Sequence, residues 1–120
     1  MSAKVLLVED FDDVRRMMRF QLQGEGFDVV EAADGHEALE KAVTVKPDLI
    51  LMDIAMPVMD GIQATRAIRQ HAGLTDVPII AVTAYGEFYN ERAREVGCNA
   101  VVQKPVDVTE LKPLVQQYLS

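Results

Sequence analysis

Several things are scarce in this chain, and each scarcity narrows what the protein can be. Cysteine occurs once, at Cys98, so no internal disulfide can form, and its Gly-Cys-Asn-Ala setting reads as a small residue in a turn before a strand. Proline and glycine number only 5 and 7 in 120 residues. With no low-complexity stretch, and no repeat at a period of roughly 20 to 50 residues, linkers and solenoids are excluded. Long apolar runs are missing too. The N-terminal run from Val5 meets Glu9 and Asp10 within a few residues, too soon for a signal peptide or a membrane span, which places the chain in the cytoplasm by expectation. Basic residues are outnumbered 12 to 19, giving a net charge of -7. That balance argues against a dedicated nucleic-acid or anionic-membrane surface and suits a divalent cation better. The two histidines, His36 and His71, have no ligand pattern around them and should be exposed.

What the chain does have is apolar content, 49%, enough for one sizeable core and one domain over residues 1–120. Five short apolar runs read as strands: Val5 to Val8, Phe27 to Val30, Leu49 to Met52, Val77 to Val82 and Ala100 to Val102. An unbroken run such as Leu49-Ile50-Leu51-Met52 suits a strand covered on both faces, as in a parallel sheet between helices. Between the runs, apolar residues recur at helical spacing: Val14, Met17, Met18 and Leu22; Ala38, Leu39, Ala42 and Val43; Ala64, Ala67, Ile68 and Ala72; Tyr89, Ala93 and Val96; then Leu111, Leu114, Val115, Tyr118 and Leu119. Met17, Met18, Met52, Met56 and Met59 are expected to fill core and loop packing. Gly24, Gly26, Gly35, Gly61, Gly73 and Gly97 fall at the junctions, where positive φ or a helix stop is wanted. Asp12 and Asp13 are placed to cap the first helix, Asp107 the last, and Pro113 conflicts with that last helix. Strict alternation of strand and helix predicts an open, doubly wound α/β sheet, with any ligand beyond the carboxyl ends of the strands.

Those strand ends carry Glu9 and Asp10, then Asp53, Thr83 and Lys104. Three converging carboxylates repel one another unless a cation offsets them, and an oxygen-only set with no Cys or His suits Mg²⁺ or Mn²⁺. Nucleotide and flavin sites on this architecture place glycines after the first strand; here the loop is Glu9-Asp10-Phe11-Asp12-Asp13, which would repel a bare phosphate. An aspartate-nucleophile phosphohydrolase needs a second carboxylic acid two residues after the nucleophile, and that position is Ala55. The residues could form an acyl phosphate at Asp53 but lack the side chain to hydrolyse it quickly, which is how a switch behaves.

Val8-Glu9-Asp10, Met52-Asp53 followed by Met56-Pro57 and Met59-Asp60-Gly61, Val82-Thr83-Ala84, and Lys104-Pro105 resemble, in order and spacing, the four motifs of the response-regulator receiver family of two-component signalling. The Asp10-Phe11 to Arg15-Arg16 stretch is similar to the chemotaxis receiver. The resemblance implies a five-stranded parallel sheet of flavodoxin-like order 2-1-3-4-5. It makes Asp53 the phosphoacceptor, Asp10 a direct Mg²⁺ ligand, Glu9 a ligand through water and the Ala55 carbonyl another. Thr83 and Lys104 would hold phosphoryl oxygens, a cis bond before Pro105 would aim the lysine, and Asp60-Gly61 would brace the loop. The implied donor is a phosphohistidine on a histidine kinase or histidine phosphotransfer protein, and the implied output is a protein partner or homodimer at the fourth-helix to fifth-helix face. No separate substrate turnover is implied.

One departure stands out. Receivers often carry Tyr or Phe three residues before the lysine, where this chain has Val101, so the usual ring rotation has no ring; Tyr85 is the candidate replacement, beside Thr83 and Ala84. The rival readings are a phosphorylation-independent interaction module, against which the complete acid, Thr and Lys set speaks, and an enzyme of the phosphohydrolase or flavoprotein kind.

Overall fold

Two strands in the middle of the chain are apolar throughout because neither of their faces meets water. In the computed structural model, which describes residues 2–56 and 59–119, β3 (Leu49–Asp53) and β4 (Ile79–Thr83) are buried at every position. They sit at the centre of a parallel sheet with β1 (Lys4–Val8), β2 (Asp28–Ala32) and β5 (Ala100–Gln103), in the order β2-β1-β3-β4-β5. This is the expected order. The edge strands β2 and β5 are only partly buried, as edges must be.

Because alternate strand residues point to opposite faces, the sheet divides the core in two. Leu6, Val8, Ile50, Met52, Ile79 and Ala81 face α2 (Gly35–Val45), α3 (Gly61–Arg69) and α4 (Gly86–Glu95), meeting Ala38, Ala42, Ala64, Ile68 and Ala93. Val5, Leu7, Leu49, Leu51 and Ile80 face α1 (Asp12–Gly24) and α5 (Val108–Leu119), meeting Met18, Leu22, Leu111 and Val115. Each fully buried Leu or Ile contributes about 1.5–3 kcal/mol relative to exposure. Among the described residues no helix is long and apolar enough to cross a membrane.

Several local expectations are corrected. β2 begins at Asp28 and runs to Ala32, so Phe27 precedes it and packs as a core residue against the α1 and α5 face. β4 begins at Ile79 because Pro78 has no N–H for the ladder; its carbonyl instead accepts the Ile50 N–H at 2.9 Å. Met17 is 53% exposed, since Met18 and Leu22 already take the inward stripe of α1. Ala72 lies beyond the end of α3 and is exposed. Asp12 and Asp13 are first-turn residues of α1, whose N-cap is Phe11 without a side-chain bond; Asp12 pairs with Arg15 at 2.7 Å. Asp107 does precede α5, its carboxylate accepting the Thr109 N–H at 2.9 Å, and the helix continues through Pro113. Gly26, Gly73 and Gly97 have positive φ. Gly35 and Gly61 instead open helices, and Gly61 is glycine for want of room: a Cβ there would collide with the Asp53 carbonyl oxygen.

Candidate functional site at the carboxyl edge

Parallel pairing carries the polar strand ends to one rim, and backbone bonds extend the ladders just past them. Glu9 N–H donates to the Ala32 carbonyl at 3.1 Å, Ile54 N–H to Val82 at 3.1 Å and Lys104 N–H to Thr83 at 2.8 Å. These bonds hold the candidate residues Glu9 and Lys104, and Ile54 next to Asp53, at the strand ends. Asp60 then caps α3 through a reciprocal box with Gln63, and Gly61 N–H donates to the Ile54 carbonyl at 2.9 Å. The start of α3 is thereby pressed against the backbone of Asp53. Pro57, part of the quoted motif, lies outside the described residues.

The side chains converge as the strand order requires. One carboxylate oxygen each from Glu9, Asp10 and Asp53 lie within 4.8 Å of one another. Glu9 is 1% exposed and Asp53 3%. Lys104 Nζ reaches Glu9 Oε1 at 2.9 Å and Asp53 Oδ1 at 3.4 Å, across 95 residues of sequence. The Lys104–Pro105 bond is cis. Thr83 is fully buried, and its hydroxyl accepts the Tyr85 N–H at 3.0 Å. Ala55, exposed at the rim, donates its N–H to Asp53 Oδ1 at 3.3 Å.

One lysine cannot neutralise this set. Burial first, then Glu9 as hydrogen-bond partner and like charge, push the Asp53 carboxyl up to about 8, against the pull of Lys104. Burial opposes the charge of Glu9 as well, but hydrogen bonds with Asp53, Lys104 and the Phe11 amide outweigh it and hold that carboxyl below its usual range. Lys104 also resists burial and is held above the ordinary ammonium value by Glu9 and Asp53. Glu9 and Asp53 therefore titrate as one acid pair that shares a proton, with Lys104 facing both carboxylates. Among the described residues Asp10 Oδ1 is buried without a hydrogen-bond partner. A buried carboxylate oxygen of this kind beside an acid pair that shares a proton fits a hard cation, and every donor in the cluster is oxygen.

The residues named from the sequence are thus brought together: Glu9, Asp10, Asp53, Thr83 and Lys104 share the rim, with Ala55 at its edge. Tyr85 is 64% exposed, and Val101 is half-buried along a groove of about 350 Å³ between α4 and β5. His36 and His71 are exposed. Sequence reasoning missed the role of Arg15. Its guanidinium turns inward, donates to the Glu9 carbonyl at 2.8 Å and pairs with Asp12 and Glu31, so it braces the acidic loop. The i, i+3 spacing from Asp12 was the available signal, but only the fold supplies Glu31.

Comparison with known proteins agrees with this geometry. Residues 5–116 match the model of the response regulator receiver domain. The chain is 35% identical over 120 residues to the alkaline phosphatase synthesis transcriptional regulatory protein PhoP of Bacillus subtilis, covering 99% of this chain and 49% of PhoP; it spans about half of that relative's length. Among solved structures, the chemotaxis protein CheY4 of Vibrio cholerae superposes with a TM-score of 0.93 at 34% identity, covering 99% of this chain and 100% of that one. The receiver domain of the sensor histidine kinase PA1611 of Pseudomonas aeruginosa, with a magnesium ion coordinated in its active site cleft, superposes with a TM-score of 0.92 at 35% identity, covering 99% and 98%. With the strand order, the acidic rim and the matched length in agreement, the chain belongs to the response regulator receiver domain family.

Proposed function

We propose that residues 1–120 form one receiver domain that works as a phosphorylation-dependent switch, taking a phosphoryl group onto Asp53 from a phosphohistidine on a histidine kinase or histidine phosphotransfer protein. The observation that carries this reading is the buried Asp53 carboxyl set between the carboxylates of Glu9 and Asp10, the latter with an oxygen unpartnered among the described residues, and the Lys104 ammonium. Asp10, Asp53, Glu9 through water and the Ala55 carbonyl would hold Mg²⁺, Mn²⁺ having the same donor preference. When bound, the ion supplies the positive charge that ionises Asp53 and offsets the charge of the phosphoryl oxygens.

The chain's own residues do the rest. An ionised Asp53 oxygen attacks phosphorus in line, the bond from phosphorus to the donor imidazole nitrogen breaks, and the imidazole leaves with that electron pair. Lys104, held at the rim by its backbone bond to Thr83, neutralises one phosphoryl oxygen, and the Thr83 hydroxyl donates to another. Ala55 offers no acid or base to a hydrolytic water, so the acyl phosphate persists long enough to signal. The domain is a signalling module, without turnover of a separate substrate.

A donor must approach beside Lys104. An apolar groove of about 350 Å³ opens there, lined by Val14, Met17, Met18, Ala84, Lys104, Pro105 and Val106, and the outward Met17 belongs to it. On the output side, a downstream protein or second copy would meet the face from α4 to α5, where Tyr85 is exposed. A net charge of -7 disfavours direct nucleic-acid or membrane contact, and the cytoplasm suits the donor.

Intact mass after incubation with acetyl phosphate, with and without Mg²⁺, tests the reading. A Mg²⁺-dependent gain of one phosphoryl group in wild type and none in Asp53→Asn is expected. Absence of any adduct, with Mg²⁺ binding verified and a stable phosphoryl mimic also failing to bind, would leave a phosphorylation-independent module.

A further inference from the structure

Tyr85 stands at the N-cap of α4 without a side-chain cap bond, so the first amides of that helix need acceptors from elsewhere. Gln103 supplies one. The β4–β5 register sets Gln103 beside Thr83, and the glutamine side chain lies against the loop that joins Thr83 to α4. Its Oε1 accepts the Gly86 N–H at 2.9 Å, and its Nε2 donates to the Ala84 carbonyl. Both ends of the amide are used, which fixes its orientation, since the reverse would set donor against donor. A Cβ on Gly86 would lie 2.5 Å from Gln103 Oε1, so glycine makes room for the contact. Between these bonds the Thr83 hydroxyl accepts the Tyr85 N–H. The whole loop is therefore tied to β5, directly before Lys104.

Val101 puts no aromatic ring on β5 to follow the movement of this loop, whose own Tyr85 is 64% exposed, and the groove beside Val101 is lined by Gly86, Glu87, Asn90, Arg94 and Gln103. We infer that Gln103 is the positioning residue of the switch: its amide clasps Ala84 and Gly86, holds the Thr83 loop and the start of α4 in the observed arrangement, and releases when that loop moves. This rests on the reading of the chain as a switch phosphorylated at Asp53. Both bonds are made by an exposed side chain and are individually weak, which suits a contact that must break reversibly.

Hydrogen exchange of wild type, Gln103→Met and Gln103→Glu tests this, each protein free and with Mg²⁺ plus beryllofluoride as phosphoryl mimic. Methionine keeps the volume and loses both bonds. In the free protein, the Gly86 to Phe88 amides of Gln103→Met should exchange roughly tenfold faster, the equivalent of about one net hydrogen bond, with β1 and β3 unchanged. Glutamate keeps an acceptor for Gly86 N–H but sets an oxygen against the Ala84 carbonyl, so it should restore protection only in part. The mimic should speed exchange of the same amides in wild type and add little in Gln103→Met. Wild-type protection in free Gln103→Met would overturn the clasp, and an equal response of both proteins to the mimic would overturn its part in switching. Acetyl phosphate labelling of the same samples separates the two readings. A wild type that takes no phosphoryl group removes the switching role together with the proposed chemistry, while free-protein exchange still decides whether the clasp exists.

Discussion

Replacing Asp53 by asparagine should make the metal-free protein more stable, although it removes the residue on which the proposed chemistry depends. Burial and Glu9 raise the Asp53 carboxyl from 3.8 to about 8, whereas in the unfolded chain it titrates near the ordinary value. Between 3.8 and pH 7 each unit is worth about 1.4 kcal/mol, which sets a ceiling of about 4 kcal/mol on the cost of keeping this acid in the fold. The opposite displacement of Glu9 returns part of it, because the two groups share one proton, so about 2 kcal/mol is expected. Asparagine keeps an oxygen for the Ala55 N–H and offers Glu9 a permanent donor. For a chain of this size about 2 kcal/mol corresponds to a Tm rise of roughly 5–10 °C.

The pH dependence has a definite sign. A carboxyl with a raised folded pKa costs nothing below its unfolded pKa, and its penalty grows as pH rises through the window from 3.8 to about 8. Melting curves of wild type and Asp53→Asn in EDTA should therefore lie close together near pH 4 and separate progressively up to pH 8. A variant no more stable than wild type at pH 7.5, or a gap that does not vary with pH, would refute the account of the site as an acid pair short of positive charge.

Metal should act through the same deficit: millimolar Mg²⁺ is expected to raise the wild-type Tm, and Asp10→Asn to lose most of that rise, as differential scanning fluorimetry would show. Gly61→Ala places a Cβ against the Asp53 carbonyl and should cost about 2 kcal/mol or more in urea unfolding, whereas Gly24→Ala, with open space around it, should be neutral or stabilising. Arg69→Met removes the guanidinium that ties Gly97, Leu74 and Asn99; it should lower stability by about 1–3 kcal/mol and loosen the turn before β5, read by hydrogen exchange. Cys98, whose thiol burial pushes up, should resist maleimide in the native state and react fully in urea.

The parts of this protein that are local were legible in the sequence. Apolar runs of strand length, amphipathic stretches between them and acids at the strand ends give the alternation, the sheet and the rim, because burial on both faces leaves a direct mark on residue type. Motif spacing then names the rim residues. Boundaries slipped where one residue overrides the pattern, as Pro78 does at β4 and Phe27 does before β2.

Tertiary structure decided what periodicity cannot encode, namely which of several equivalent side chains finds a distant partner. Met17 faces out because Met18 and Leu22 fill the inward stripe, and Arg15 turns in because β2 brings Glu31 to it. Lys104 lies closer to Glu9 than to Asp53, and Gln103 reaches Ala84 and Gly86 only because β4 and β5 pair in that register. The sequence determined the elements and the chemical cast of the site. The order of the strands decided which residues meet, since contacts across 95 positions of chain arise from sheet pairing and from no local pattern.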